Sequence, residues 1–191
     1  ALVIDFLGAG RHGFVFLVSS HGQEYALKVV PGLDNVPAVK SEVDTMKKAA
    51  EAKCPVATIT GEVEVIDEAG CYYLMTDVGK QIDLTAEWTG DKLGGLATAL
   101  LASLRTIHLQ QLTHGDARIA NVLLLPTDED ADITPMWVDF RDSGIPNVYQ
   151  MMMDVQTLLR CIWPQRVVQE DDMKDWLESD SAVYNLVIAG T

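Results

Sequence analysis

Basic residues are scarce in this chain: 14 Lys and Arg stand against 28 Asp and Glu, a formal charge of −14 over 191 residues. That balance repels phosphate backbones and anionic bilayers, so no nucleic-acid or membrane partner is expected, and an anionic ligand needs a locally positive pocket. Cysteine is nearly absent. Cys54, Cys71 and Cys161 are odd in number, widely spaced and without zinc-ligand spacing, so they read as free thiols of a reducing, intracellular compartment, cytoplasm or nucleus. No apolar run approaches the roughly 18 residues of a membrane span. The opening Ala-Leu-Val-Ile-Asp has no basic flank of the signal-peptide kind, and a start at Ala1 directly on a strand pattern reads as a fragment of a longer protein. Repeats and low-complexity tracts are also missing. With 48% apolar and 22% charged residues, the chain has the composition of one domain, or of two small lobes sharing a cleft.

What is present centres on Thr113 to Asn121, Thr-His-Gly-Asp-Ala-Arg-Ile-Ala-Asn, followed by the apolar run Val122 to Leu125. A carboxylate and an amide five residues apart, in a loop entering a strand, suit phosphoryl transfer: Asp116 to take a hydroxyl proton, Asn121 to hold a metal. An Asp and an Asn in a polar turn are also ordinary turn formers, so the weight of the stretch depends on its partners.

Leu2 to Leu7, Phe14 to Ser19 and Glu24 to Val30 read as three antiparallel strands, with turns at Gly8 to Gly13 and at His21-Gly22. Glycines 8, 10 and 13 let the first turn approach a ligand closely and aim amides at phosphate oxygens; the alternative is a plain glycine-rich hairpin. A dinucleotide-binding turn is excluded because a strand follows, not a helix. Lys28 lies inside the apolar strand Tyr25 to Val30, where it either sits on an edge strand with its head group in solvent, the reading favoured by the lysine alone, or faces a pocket containing an anion. Asn35 and Pro37 start a helix whose apolar face is Val39, Val43, Met46 and Ala50, with Glu42 beside that face and within reach of Lys28 or of a surface lysine. Val63 to Ile66 and Cys71 to Thr76 form a hairpin, Met75 to Gly79 a hinge. Asp91 to His108 is an amphipathic helix carrying Leu93, Leu96, Leu100, Leu101, Leu104 and Ile107 on one face. After a polar excursion, Met136 to Phe140 is a strand ended by Asp139, either a metal-binding carboxylate or a turn former. Gln150 to Ile162 reads as a helix containing Asp154, and Asp171-Asp172 opens a short helix around Trp176. Trp88, Trp137, Trp163 and Trp176 read as core or interface anchors without chemistry.

In this order the features resemble the protein kinase-like superfamily: Gly8, Gly10, Gly13 and Val15 of a glycine loop, Ala26-Leu27-Lys28, Glu42, His114-Gly115-Asp116 with Asn121, and Val138-Asp139-Phe140. The resemblance spans Gly8 to Asp154. It implies an α+β, two-lobed fold in a single domain, 1–78 forming an antiparallel sheet with one helix and 79–191 a shortened, mostly helical lobe. It further implies ATP and Mg2+ as cofactors. Gly8, Gly10 and Gly13 would cover the phosphates, Lys28 oriented by Glu42 would hold them, and Asn121 and Asp139 would bind magnesium. Val15 and Ala26 would pack on adenine, with backbone groups of Asp77 and Gly79 at its edge. Asp116 would receive the proton of a hydroxyl acceptor, a protein Ser or Thr or a small molecule. Arg118 stands where protein kinases carry a lysine that steadies the phosphoryl group. Lys28 and Arg118 at one cleft would locally reverse the field of an acidic chain.

The pattern also departs from that superfamily. Gly115 replaces the arginine that reads a phosphorylated activation loop, Arg141 replaces the glycine after Asp139-Phe140, and no long activation segment fits before Asp154, which resembles the aspartate that anchors the catalytic loop. Ser143 and Tyr149 are hydroxyls in that shortened stretch, read as ordinary loop groups or autophosphorylation sites. His-Gly-Asp and the missing glycine are similar to small-molecule phosphotransferases of the aminoglycoside and choline kinase group. A looser similarity is to the compact kinase-like domains of crinkler-type effectors, for which a host cell interior would be the compartment. An active kinase, a pseudokinase acting as a nucleotide-binding or interaction module, and a domain that binds no nucleotide are the competing expectations.

Overall fold

Period-two burial along two strands builds the centre of the molecule. In a computed structural model describing residues 1–10, 13–76, 78–84, 88, 90–125, 133–140 and 146–188, Ala26, Lys28 and Val30 of β3 (Gln23–Pro31) and Cys71, Tyr73 and Met75 of β5 (Gly70–Met75) are buried. With β1 (Leu2–Gly10), β2 (Gly13–Ser20) and β4 (Ile59–Ile66) they form a five-stranded antiparallel sheet in the order β1-β2-β3-β5-β4. The β2–β3 turn falls at His21-Gly22, both at positive φ, the two-residue geometry that matches strand twist. Gly10 pairs with Gly13, so the glycine stretch belongs to the strands themselves, and β1 runs three residues past its expected end at Leu7. β1 is an open edge. Leu2, Val3, Ile4 and Phe6 are all solvent-exposed.

The edge-strand expectation for Lys28 fails, because β3 is bracketed by β2 and β5, with Lys28 in register with Val15 on one side and Tyr73 on the other. Helix α1 (Val36–Glu51) carries Pro37 in its first turn and buries Val39, Glu42, Val43, Met46 and Ala49. Ala50, expected on that face, is half-buried, while Ala49, two turns after the buried Glu42, is in the core.

The second half is built on α2 (Asp91–Leu109), which buries Leu96, Leu100, Leu101, Leu104 and Ile107, with Leu93 half-buried. A small antiparallel sheet, β6 (Lys80–Gln81), β7 (Val122–Leu124) and β8 (Pro135–Trp137), lies beside it. Trp137 is fully buried and donates its indole N–H to Ser103 Oγ at 2.8 Å. Its backbone bonds to Pro55 and Ala57 tie β8 to the chain between α1 and β4. The strand expected over Met136 to Phe140 stops at Trp137, two residues before Asp139 takes φ +64°, which no strand can hold. Helix α3 (Val148–Ile162) starts two residues before Gln150, because Asn147 and Gln150 form a reciprocal capping box. The expected helix around Trp176 is reduced to a 3-10 turn, Asp171–Met173, before α4 (Ser181–Ile188). Arg11, His12, Asp77, Arg141 and Ser143 lie outside the described residues.

Gly70 closes the β4–β5 hairpin at φ +147°, where an added Cβ would stand 2.1 Å from Val30 O. Gly70→Ala combines strain with a backbone clash and is expected to cost about 2 kcal/mol or more. Calorimetry should show the melting temperature lowered by roughly 4 to 8 °C.

Candidate active site

Between the two sheets opens a cleft of about 930 Å3, the size of a small-molecule site. Gly8, Gly10, Gly13, Val15, Ala26, Lys28, Gly79, Asp116, Arg118, Asn121 and Asp139 all line it. Of the residues singled out in the sequence, Glu42 lies behind the wall, and Asp77 is not among the described ones.

Lys28 is the most buried charge in the cleft lining, 7% exposed. Its Nζ donates to Glu42 Oε1 at 2.7 Å and to Asp139 Oδ1 at 2.5 Å. Burial disfavours the ammonium, but the two carboxylates outweigh that and hold the Lys28 pKa above its ordinary value. Tyr73, beside Lys28 in the strand register, donates its hydroxyl to the same Glu42 oxygen at 2.6 Å. Burial and Glu42 push the phenol well above its usual range, so it stays a donor. Sequence reading missed Tyr73, although the buried alternation Cys71, Tyr73, Met75 would have placed it on the Lys28 face.

The loop 113–121 faces this group. His114 is fully buried, its ring centroid 4.4 Å from that of Phe140 and 4.9 Å from that of Trp137. Val138 O accepts from His114 Nε2 at 2.9 Å, and Asp116 N donates to Nδ1 at 3.3 Å, so the ring is the neutral Nε2–H tautomer. Burial lowers its pKa accordingly. Asp154, the expected anchor, accepts the backbone N–H of His114 at 2.7 Å and of Gly115 at 2.9 Å.

Asp116 is gripped by Arg118 through a two-pronged contact, Nε to Oδ1 at 2.9 Å and Nη2 to Oδ2 at 2.7 Å. Asn121 Nδ2 donates to Asp116 O at 2.9 Å, which leaves its amide oxygen as the atom able to meet a cation. Val138 N donates to Asn121 O at 3.0 Å and so sets Asn121 beside Asp139, which has φ +64° two residues beyond β8. That left-handed backbone is sparsely populated for residues other than glycine, and such strain clusters at functional sites.

Among the described residues the cleft lining carries three cations, Lys28, Lys80 and Arg118, and two carboxylates, Asp116 and Asp139. Lys28 faces Asp139 and, behind the wall, Glu42, while Arg118 faces Asp116. Among the described residues no cluster of three or more His, Cys, Asp or Glu is set to hold an ion alone. One carboxylate and one amide oxygen suit a magnesium ion that takes its other ligands from phosphate and water. The walls suit a nucleotide: Val15 and Ala26 from one sheet, Leu123 from the other and Val138 just after β8 enclose an apolar slot. A Cβ on Gly8 or Gly10 would meet nothing within 4 Å, so the chain's own packing does not demand glycine there and the space is left to the cleft.

A five-stranded antiparallel sheet with one large helix, joined to a mostly helical half across a charged cleft, is the protein kinase-like fold. Among solved structures, the kinase domain of PknI from Mycobacterium tuberculosis matches 99% of this chain and 95% of its own at a TM-score of 0.59 and 16% identity. The chain thus has a divergent kinase-like fold, α+β in class. No family model and no curated protein matches it.

Between its lowered folded value and the ordinary 6.5, His114 takes up a proton on unfolding. Stability from this group is therefore present above 6.5 and lost as pH falls, by up to about 1.4 kcal/mol per unit. Urea titrations between about pH 7 and about pH 5.5 should show this loss, and His114→Asn should flatten the pH dependence while lowering stability throughout.

Proposed function

We propose that the chain is an ATP-dependent phosphotransferase acting on a hydroxyl acceptor, a protein Ser or Thr. The observation that carries this reading is Lys28, braced by Glu42 and meeting Asp139 at the cleft, opposite Asp116 and Asn121. Phosphoryl transfer is mostly positioning and charge neutralisation, and these residues supply both. Bound Mg-ATP would supply the transferable group and the divalent charge. Lys28, kept charged, would hold the α- and β-phosphates, and the amides of Gly8, Gly10 and Gly13 would cover them. Asn121 and Asp139 would hold the metal. Asp116 would take or orient the acceptor's hydroxyl proton, with Arg118 beside it offering its forked donors to the phosphoryl group. Residues 1–78 would act as one lobe and 79–191 as the other, with Asp77 and Gly79 at the adenine edge.

The competing reading is a pseudokinase, a nucleotide-binding or interaction module without transfer. It is favoured by one specific feature: protein cations already engage both cleft carboxylates. A small-molecule acceptor would keep the same machinery and change only what docks beside Asp116.

Mg-ATP at about 100 times its dissociation constant adds roughly 2.7 kcal/mol, a rise of about 5 to 10 °C in melting temperature. The rise should need magnesium and lose that dependence in Asp139→Ala; no rise at all would remove the nucleotide from the function. Asp116→Ala should still bind Mg-ATP yet lose phosphotransfer or autophosphorylation by about 10²- to 10⁴-fold. Transfer at the wild-type rate in that variant would sink the assigned mechanism and leave the base elsewhere.

A further inference from the structure

Asp154 is 3% exposed, and its carboxylate holds the loop that presents Asp116. Among the described residues no lysine or arginine is paired with it; its third donor is His108 Nε2, at 3.2 Å from Oδ2. On the other side of that ring, Trp176 Nε1 lies 2.8 Å from His108 Nδ1. An indole N–H can only donate, so Nδ1 must be bare, and the ring's one proton must sit on Nε2, aimed at Asp154. The chain of donors runs one way, from Trp176 through His108 to Asp154. His108 and Trp176 are 0% and 1% exposed, so no solvent competes for either nitrogen.

The segment bearing Trp176 is fastened independently. Arg105, one turn before His108 on the same face of α2, donates Nε to Trp176 O at 2.5 Å and Nη2 to Leu177 O at 3.3 Å, and its Nη1 meets Asp180 Oδ1 at 2.6 Å. The indole is thereby fixed against the helix end that carries the histidine.

We propose that Trp176 is a positioning residue for the loop 113–121: its indole N–H locks His108 in the Nε2–H tautomer, so that His108 donates to Asp154 and Asp154 holds the His114 and Gly115 amides. With the opposite tautomer, a bare Nε2 would face the carboxylate lone pairs, and Asp154 would lose one of three donors in a dry site where each counts for more than in water. The consequence for turnover rests on the phosphotransfer reading, whereas the tautomer and the anchoring do not.

The test therefore needs no nucleotide. Ring-nitrogen NMR of the wild-type chain with 15N-labelled histidine should show His108 as the neutral Nε2–H form; an Nδ1–H or doubly protonated ring overturns the proposal, with no variant required. Trp176→Phe keeps most of the volume and removes only the donor. Hydrogen exchange of the His114 and Gly115 amides should then quicken by roughly 5- to 30-fold, the range for weakening one buried bond to a charged group, while amides of β3 and β5 stay near their wild-type rates. Unchanged exchange at His114 and Gly115, or a rise of equal size throughout the sheet, would reduce Trp176 to a packing residue and end the proposal. Loss of phosphotransfer in the wild type would leave both readouts standing.

Discussion

A buried ammonium group cannot stand alone. Removing Lys28 from water costs several kcal/mol unless carboxylates meet it, and the two that do so arrive from α1 and from the segment after β8. The requirement to satisfy one cation thus ties together three parts of the chain separated by 14 and 111 residues. Glu42 must turn inward from α1, Tyr73 must donate to it, and Asp139 must reach back toward the sheet. The cleft is where this arrangement meets solvent. Lys28 and Arg118 are consequently already paired within the protein, and an anion that engages them has to displace or share existing partners.

Much of this was legible in the sequence, and the limits are physical. Strands and helices followed from period-two and 3.6-residue patterns, the β2–β3 turn from His21-Gly22, and the membership of the cleft from glycine spacing with Lys28, Asp116, Asn121 and Asp139. Lys28 itself was ambiguous, since a lysine in an apolar strand is read through its neighbours across the sheet, and strand order is not written locally. Ends were shifted by local backbone geometry: β8 stops before Asp139 at φ +64°, and α3 starts early because of the Asn147 cap. Tyr73 carried a readable signal in its alternation. Trp176 carried none, because its partner His108 lies 68 residues away and depends on how α2 packs against the last segment.

Asp139 and Asp116 present the same chemical theme in two ways. Each is a carboxylate at the cleft held by a cation of the protein, the first by a buried lysine and the second by a half-exposed arginine. A buried ion pair resists exchange of partners, while an exposed one exchanges readily. The Arg118 contact is the softer of the two, and it lies on the side where an acceptor would dock.

The anchoring of the loop 113–121 sets an order on events during synthesis. All pairings of the five-stranded sheet lie within residues 2–75, so that sheet is assembled from chain that leaves the ribosome before the loop does. The loop emerges later, but Asp154 follows it by 38 residues from Asp116 and Trp176 by a further 22. A nascent chain halted before residue 154 would display its cleft-facing sheet with the loop unfastened. Competence for whatever chemistry the cleft performs is in this sense withheld until the stretch from Asp154 to Trp176 has been made.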